Sequence, residues 1–272
     1  MRRNPFIQLF ALMLAAALFL TSAPAAMAEE IPQMLVLEDG TAAFLRGDPD
    51  ALTCGIPAEY EGHPVTAVYE NAFRYCGKLE SVVIPEGVTS VGRNAFAYCQ
   101  SLTGVVLPES VTSIGIGAFF GCVSLESITL PGHLAEIGEG AFICCPALKE
   151  ITIPGSVREV GEFVFSGDLS RVSRFASSVV AGNGDMIMTI PPYMQGTGLM
   201  RAVLCEGVET IGPRAFCDCE NLTEVVIPAS VTGIGEDAFR GCISLTNVFV
   251  TSGSYAEQYC IDNGLPYTTT DP

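Results

Sequence analysis

The sequence predicts a β-rich, right-handed solenoid of 23-residue coils, and three observations predict it. One line recurs: "VTSVGRNAFAYCQSLTGVVLPES" begins at Val88 and "VTSIGIGAFFGCVSLESITLPGH" at Val111. Two apolar columns keep step with it, Phe73, Phe96, Phe119, Phe142, Phe165, Phe216 and Phe239, and Leu79, Leu102, Leu125, Leu148, Leu222 and Leu245. Most copies also end in Leu-x-x-apolar-x-apolar-Pro, as in Leu125 to Pro131. A fixed period of 20 to 29 residues carrying Leu-x-x-Leu-x-Leu is the signature of a leucine-rich-repeat solenoid. One such coil cannot bury its own apolar side, but stacked coils bury each other's.

Taken in order, the chain opens with a leader. Arg2 and Arg3 form a basic head, Ile7 to Leu20 is apolar apart from Gln8, and Ala26-Met27-Ala28 is a small-x-small cleavage site. Residues 1–28 are expected to be a secretory signal peptide, and the product to be secreted or held at the cell surface after cleavage near Ala28. Residues 29–64, with strand-like pieces at Met34–Leu37, Ala42–Leu45 and 52–57, are the expected N-terminal cap, because a solenoid needs its open ends covered.

Residues 65–253 are the expected solenoid. Full copies start at Val65, Val88, Val111, Leu134, Val208 and Val231, with a shortened copy at Val157. Within a copy, Leu125 to Leu130 alternates with period two and is rich in β-branched residues, which makes it a strand. Its copies should lie parallel, about 4.8 Å apart. Pro131 then ends the strand, since proline cannot donate to a ladder. Val111 to Ile114 forms a second short strand closed by Gly115, and Ala118 to Cys122 a tight turn or single helical turn.

The array is interrupted at about 168–198. Gly182-Asn183-Gly184-Asp185 reads as a hairpin turn between Ser178–Ala181 and Met186–Ile190. A decayed repeat and an inserted binding hairpin presenting Met186, Met188, Tyr193 and Met194 are both consistent with this stretch. Residues 254–272 are the expected C-terminal cap. Ser254-Tyr255-Ala256-Glu257 is a capping box, and Gly264 ends the helix that it opens.

Eleven cysteines in an exported chain would ordinarily indicate a disulfide framework. Here Cys76, Cys99, Cys122 and Cys145 stand 23 residues apart, as do Cys219 and Cys242, so the repeat placed them. Small buried hydrophobes are the first reading. Disulfides between coils are the alternative, with parallel Cβ atoms somewhat too far apart for a relaxed bridge.

The string "SVTSIGIGAFFGCVSLESITLP" resembles the leucine-rich repeats of the BspA-like surface proteins of bacteria and some parasitic protists, and "SYAEQYCIDNGLPY" resembles the segment that closes such arrays. The resemblance covers roughly residues 50–253. It implies adhesion to host or matrix proteins or to other cells. The chain departs from the general leucine-rich-repeat pattern where Asn is usual. Gly87, Ser110, His133, Ser156 or Ser230 stands there, so an Asn ladder is not expected.

Function is less constrained than fold. A formal net charge of −17 repels nucleic acid and anionic lipid, so neither nucleic-acid binding nor membrane insertion of the mature chain is expected. His63 lies in a Gly-His-Pro turn and His133 at a variable repeat end, with no nucleophile motif or metal spacing around them. No catalysis and no cofactor are expected. Glu136, Glu139, Glu159 and Glu162 fall on adjacent coils. They could form a weak calcium site, but without a calcium-loop signature a solvated acidic face eased by Arg158 is the favoured reading.

The expected partner surface is the outward strand face, Val83, Val106, Thr129, Thr152, Val203, Val226 and Phe249, with Arg201 in the row beside it. A protein or glycan partner is the leading expectation. A structural or self-associating surface element and an enzyme with its site in 168–198 are the alternatives.

Overall fold

The computed structural model describes residues 32–167 and 197–270. The leader at 1–28 and the hairpin calls on Met186, Met188, Tyr193 and Met194 lie outside the described residues.

The 23-residue period becomes a stack of coils. The Phe column forms a pile of parallel rings: Phe96–Phe119 centroids are 5.3 Å apart, Phe119–Phe142 and Phe142–Phe165 5.4 Å, with planes within 6° of each other. Phe44 of the N-terminal cap extends the pile at 4.9 Å from Phe73. The Val, Leu and Ile columns surround these rings in one continuous core. Ring pairs of this kind add about 0.5–1.5 kcal/mol each beyond the area they bury.

Two strand ladders run along the stack. The longer is built from the short strand at the start of each copy: Ser90–Val91, Ser113–Ile114, Glu136–Ile137, Glu159–Val160, Thr210–Ile211 and Gly233–Ile234. With His63–Val68, Ala42–Arg46, Gln33–Val36 and Glu59–Tyr60 it forms one ten-stranded sheet, parallel except at Gln33–Val36 and Glu59–Tyr60. A glycine follows each short strand of the repeat because the neighbouring coil passes very close. A Cβ on Gly115 would lie 2.7 Å from the nitrogen of Arg93 and the carbonyl carbon of Gly92. The first copy carries Tyr69 in this slot, where its N–H bonds to Phe44 of the cap instead of to a full coil.

The second ladder uses the strand before each proline. It is expected to be one ribbon, and here the structure differs. Thr53–Gly55, Ser81–Val83, Gly104–Val106 and Ser127–Thr129 form a four-stranded sheet, while Glu150–Ile153, Arg201–Leu204, Glu224–Ile227, Asn247–Thr251 and Tyr267–Thr270 form a separate five-stranded one. Ser127–Thr129 and Glu150–Ile153 are not paired, although their coils remain in register on the other ladder and in the Phe pile.

The copy at Val157 is not shortened. Glu150 pairs with Arg201 and Glu159 with Thr210, each 51 residues on, and Phe165 stacks on Phe216 at 5.3 Å. Val157–Phe165 and Leu199–Leu204 are therefore two halves of one complete coil. Residues 168–196 stand between these halves in the sequence, and both flanks are bonded into the stack: Gly167 N donates to Cys217 O at 2.7 Å and Met200 N to Lys149 O at 2.7 Å.

Cysteine has a role in the stack that its spacing alone does not reveal. All eleven are free thiols. The Cys99 thiol donates to Phe73 O at 3.1 Å, Cys122 to Phe96 O at 3.1 Å, Cys145 to Phe119 O at 3.2 Å, Cys219 to Phe165 O at 3.1 Å and Cys242 to Phe216 O at 3.2 Å. Phe73, Phe96, Phe119 and Phe216 O already accept the N–H of their own coil's cysteine, as Phe96 O does from Cys99. The next coil's thiol fills the second lone pair, so the disulfide alternative is replaced by a thiol ladder.

Serine takes over the slot usually held by Asn. Ser110 Oγ donates to Val88 O at 2.7 Å and accepts from Gly87 N at 3.0 Å, and Ser230 repeats this with Val208 O and Gly207 N. A second small cluster, Ala97, Phe120, Ile143, Cys144 and Phe163, is buried apart from the main core on the turns around the Phe column.

The end of the stack is closed on one side. Helix Tyr255–Asn263 packs against Gly233–Ile234 and Asn247–Thr251 and buries Ala256 and Cys260. Ser254 Oγ accepts from Glu257 N at 3.2 Å, while Glu257 reaches back one residue further than the usual box, to Gly253 N at 2.6 Å. Gly264 takes the left-handed conformation, φ 65°, that ends the helix. Tyr267–Thr270, not anticipated from the sequence, then returns as a strand parallel to Asn247–Thr251.

Candidate functional site: the strand face

Alternation along each strand of the second ladder sorts its side chains. Val82, Val105, Ile128, Ile151, Ala202, Val225 and Val248 point into the core and are buried. Their neighbours Val83, Val106, Thr129, Thr152, Val203, Val226 and Phe249 share the opposite face, as the period of two requires.

This face is uneven. Val83 and Val106 lie side by side in register and are 68% and 78% exposed. Thr129 and Thr152 are also exposed, whereas Val203, Val226 and Phe249 are half-buried. The N-terminal half of the row beside them is uncharged: Ser81, Gly104 and Ser127. The C-terminal half carries Glu150, Arg201 and Glu224, with Arg201 and Glu224 paired at 3.4 Å.

The seam between the two sheets opens a cleft of about 290 Å³. It is lined by Ile128, Thr129, Leu130, Glu150, Ile151, Thr152, Pro154 and Cys205. Its sequence signal is slight: Cys205 stands where other copies have proline. A second cleft of about 420 Å³ includes Val226, Pro228, Phe249 and Thr270. A third, of about 400 Å³, includes Pro146, Lys149, Thr197 and Asn221 where the extra residues return.

The remaining candidates fall elsewhere. His63 Nδ1 bonds to Gly40 O at 2.9 Å in the cap, and His133 is exposed at a repeat end. Glu136, Glu139, Glu159 and Glu162 occupy adjacent coils on the other ladder, and Arg158 pairs with Glu209 rather than with any of them. Among the described residues, no group of three or more His, Cys, Asp or Glu side chains is placed to hold a metal ion. Burial pushes the ladder thiols up, Cys76 to about 11 and Cys242 to about 12, and Cys99, Cys122, Cys145 and Cys219 are likewise raised well above the ordinary thiol value. A thiol that holds its proton is a poor nucleophile. No helix of the described residues is long and apolar enough to cross a membrane.

Comparison with known proteins now fixes the family. The BspA type leucine rich repeat region matches residues 66–179 and 193–264 in six copies. The chain is a BspA-type leucine-rich-repeat protein. Among solved structures, the BspA-type chain is similar to the T. pallidum leucine rich repeat protein, at 22% identity and a TM-score of 0.64, covering 93% of this chain and all of that one. That likeness shows the same fold. A leucine rich cell surface protein from Faecalibacterium prausnitzii matches at 22% identity over 92% of this chain and 99% of its own, with a TM-score of 0.33. A Bacteroides capillosus leucine-rich repeat protein matches at 35% identity over 46% of this chain and 78% of its own, with a TM-score of 0.33. No curated protein matches the BspA-type chain.

Proposed function

We propose that the protein is a non-catalytic, exported binding module that engages a protein or glycan at the cell surface through its strand face. One observation carries the reading: Val83 and Val106, adjacent in register, are the two most exposed large apolar side chains of the repeat strands, on an otherwise uncharged part of the sheet. Isolated apolar residues need no explanation, but an apolar pair set on a flat sheet and flanked by Ser81, Gly104 and Ser127 offers a surface that a partner can desolvate at little cost. The seam cleft beside Thr129 extends this surface and has room for a partner side chain. Membership of the BspA-type family agrees with a surface role. The raised ladder thiols and the position of His63 within the cap support the non-catalytic part of the reading.

The test is binding of the chain lacking residues 1–28 to arrayed matrix proteins and mucin glycans, compared with the double variant Val106→Glu/Thr129→Glu. Both positions are exposed, so the variant should fold. Loss of capture with an unchanged melting temperature is the expected result. Undiminished capture by the folded double variant would remove the strand face as the binding surface.

A further inference from the structure

The two ladders end differently beside the C-terminal helix. The ten-stranded ladder ends at Gly233–Ile234, against which the helix packs. The strand-face ladder ends at Tyr267–Thr270, and no described strand pairs with its far side. The chain passes its capping helix and then lays down a strand that reopens the sheet.

That edge has a definite chemistry. Val248 N donates to Pro266 O at 2.8 Å and Ser252 N to Thr270 O at 3.2 Å. In a parallel pair, alternate residues turn both backbone groups toward the same neighbour, so Pro266, Thr268 and Thr270 face Asn247–Thr251. The N–H and C=O of Tyr267 and Thr269 then point away from the sheet. All four strand residues are exposed. Edge strands are usually blunted by proline, by charged side chains, above all lysine, or by a bulge. Tyr267-Thr268-Thr269-Thr270 contains no proline and no charge, and its register against Asn247–Thr251 runs without a shift. Three β-branched residues hold the strand extended.

We propose that this edge takes an extended strand of a partner polypeptide, adding it to the five-stranded sheet through the backbone groups of Tyr267 and Thr269. Strand addition draws affinity from main-chain hydrogen bonds and specificity from alternate side chains. The chain's charge selects the partner. With 30 acidic and 13 basic residues, it favours a basic strand and opposes a second copy of itself.

The experiment uses the chain lacking residues 1–28 and a blocked ten-residue peptide of alternating threonine and lysine, with a twin N-methylated at alternate amides. Binding is followed by fluorescence anisotropy and by amide exchange. The peptide should bind and slow exchange at Tyr267 and Thr269, and the N-methylated twin should bind at least tenfold more weakly. Thr269→Pro should lose the same factor while keeping its melting temperature, because the N–H it removes faces outward. Val106→Glu/Thr129→Glu should bind as wild type, which separates this edge from the strand face.

Equal binding of the N-methylated twin would mean charge attraction alone and overturn the proposal, as would undiminished binding by Thr269→Pro. No binding at millimolar peptide would also overturn it. So would dimerisation that protects Tyr267 and Thr269 without peptide, since the occupant would then be a second copy.

Discussion

The same coils build two ladders, and only one of them stays whole. The ladder of two-residue strands runs unbroken through all its coils, while the ladder of longer strands splits between Thr129 and Thr152. Strand length therefore does not decide continuity. Beside the short strands, glycine brings its coil onto the backbone below, and at four of these corners its N–H bonds across at 2.7 Å: Gly115 to Val91 O, Gly138 to Ile114 O, Gly212 to Val160 O and Gly235 to Ile211 O. The longer strands are bonded from coil to coil as well, Thr223 N to Met200 O at 2.8 Å and Thr246 N to Thr223 O at 2.9 Å, but no glycine follows each of them, and their outward side chains vary from coil to coil. The glycine-cornered ladder stays whole, and the other carries the outward side chains proposed above as the binding face.

Breaking the glycine corner should cost most. Gly138→Val would place its Cβ 2.5 Å from Ile116 N, against backbone that cannot yield. A loss of about 3 kcal/mol is expected in urea unfolding. A change below about 0.5 kcal/mol would show that this ladder does not depend on the glycine corner.

An intermediate effect should come from pH, through the thiols that tie adjacent coils. Their folded values lie above the unfolded value of 9.0, that of Cys242 at about 12 and those of Cys99 and Cys122 well above 9.0. The stabilisation is complete below pH 9 and is lost as pH rises toward the folded values, because only the unfolded chain ionises easily there. The melting temperature should fall faster above pH 9 in the wild type than in Cys99→Ala/Cys122→Ala. Parallel curves would remove the thiols from the account.

The smallest effect belongs to the split ladder. Thr152→Ala, exposed at the seam, should change stability by no more than about 0.5 kcal/mol. A larger loss would make the seam part of the framework and weaken its assignment as a surface for partners.

Much of this was legible in the residues. The Phe and Leu columns, the period-two strands and the Ser254 capping box all lie where local pattern places them, since each depends on neighbours at a fixed sequence distance. The seam was not legible, because Ile128 and Ile151 fit the same pattern as every paired strand. Nor was the last strand: Tyr267–Thr270 is too short to show alternation, and the sheet that it joins lies across a helix. The copy at Val157 read as truncated because its two halves stand 28 residues further apart than in the other copies; the repeat line is seen to resume at Leu199, but pairing between coils is what joins it to Val157–Phe165.

That rejoined coil has a consequence for how such proteins can diversify. Gly167 and Thr197, which flank residues 168–196 in the sequence, are both bonded into the stack, and the rings of Phe165 and Phe216 are stacked as neighbours. The architecture thus offers a port, where a passenger of arbitrary size can be spliced into the middle of the array without shifting any later copy out of step. New specificity can be acquired there by insertion, leaving the scaffold's own letters untouched.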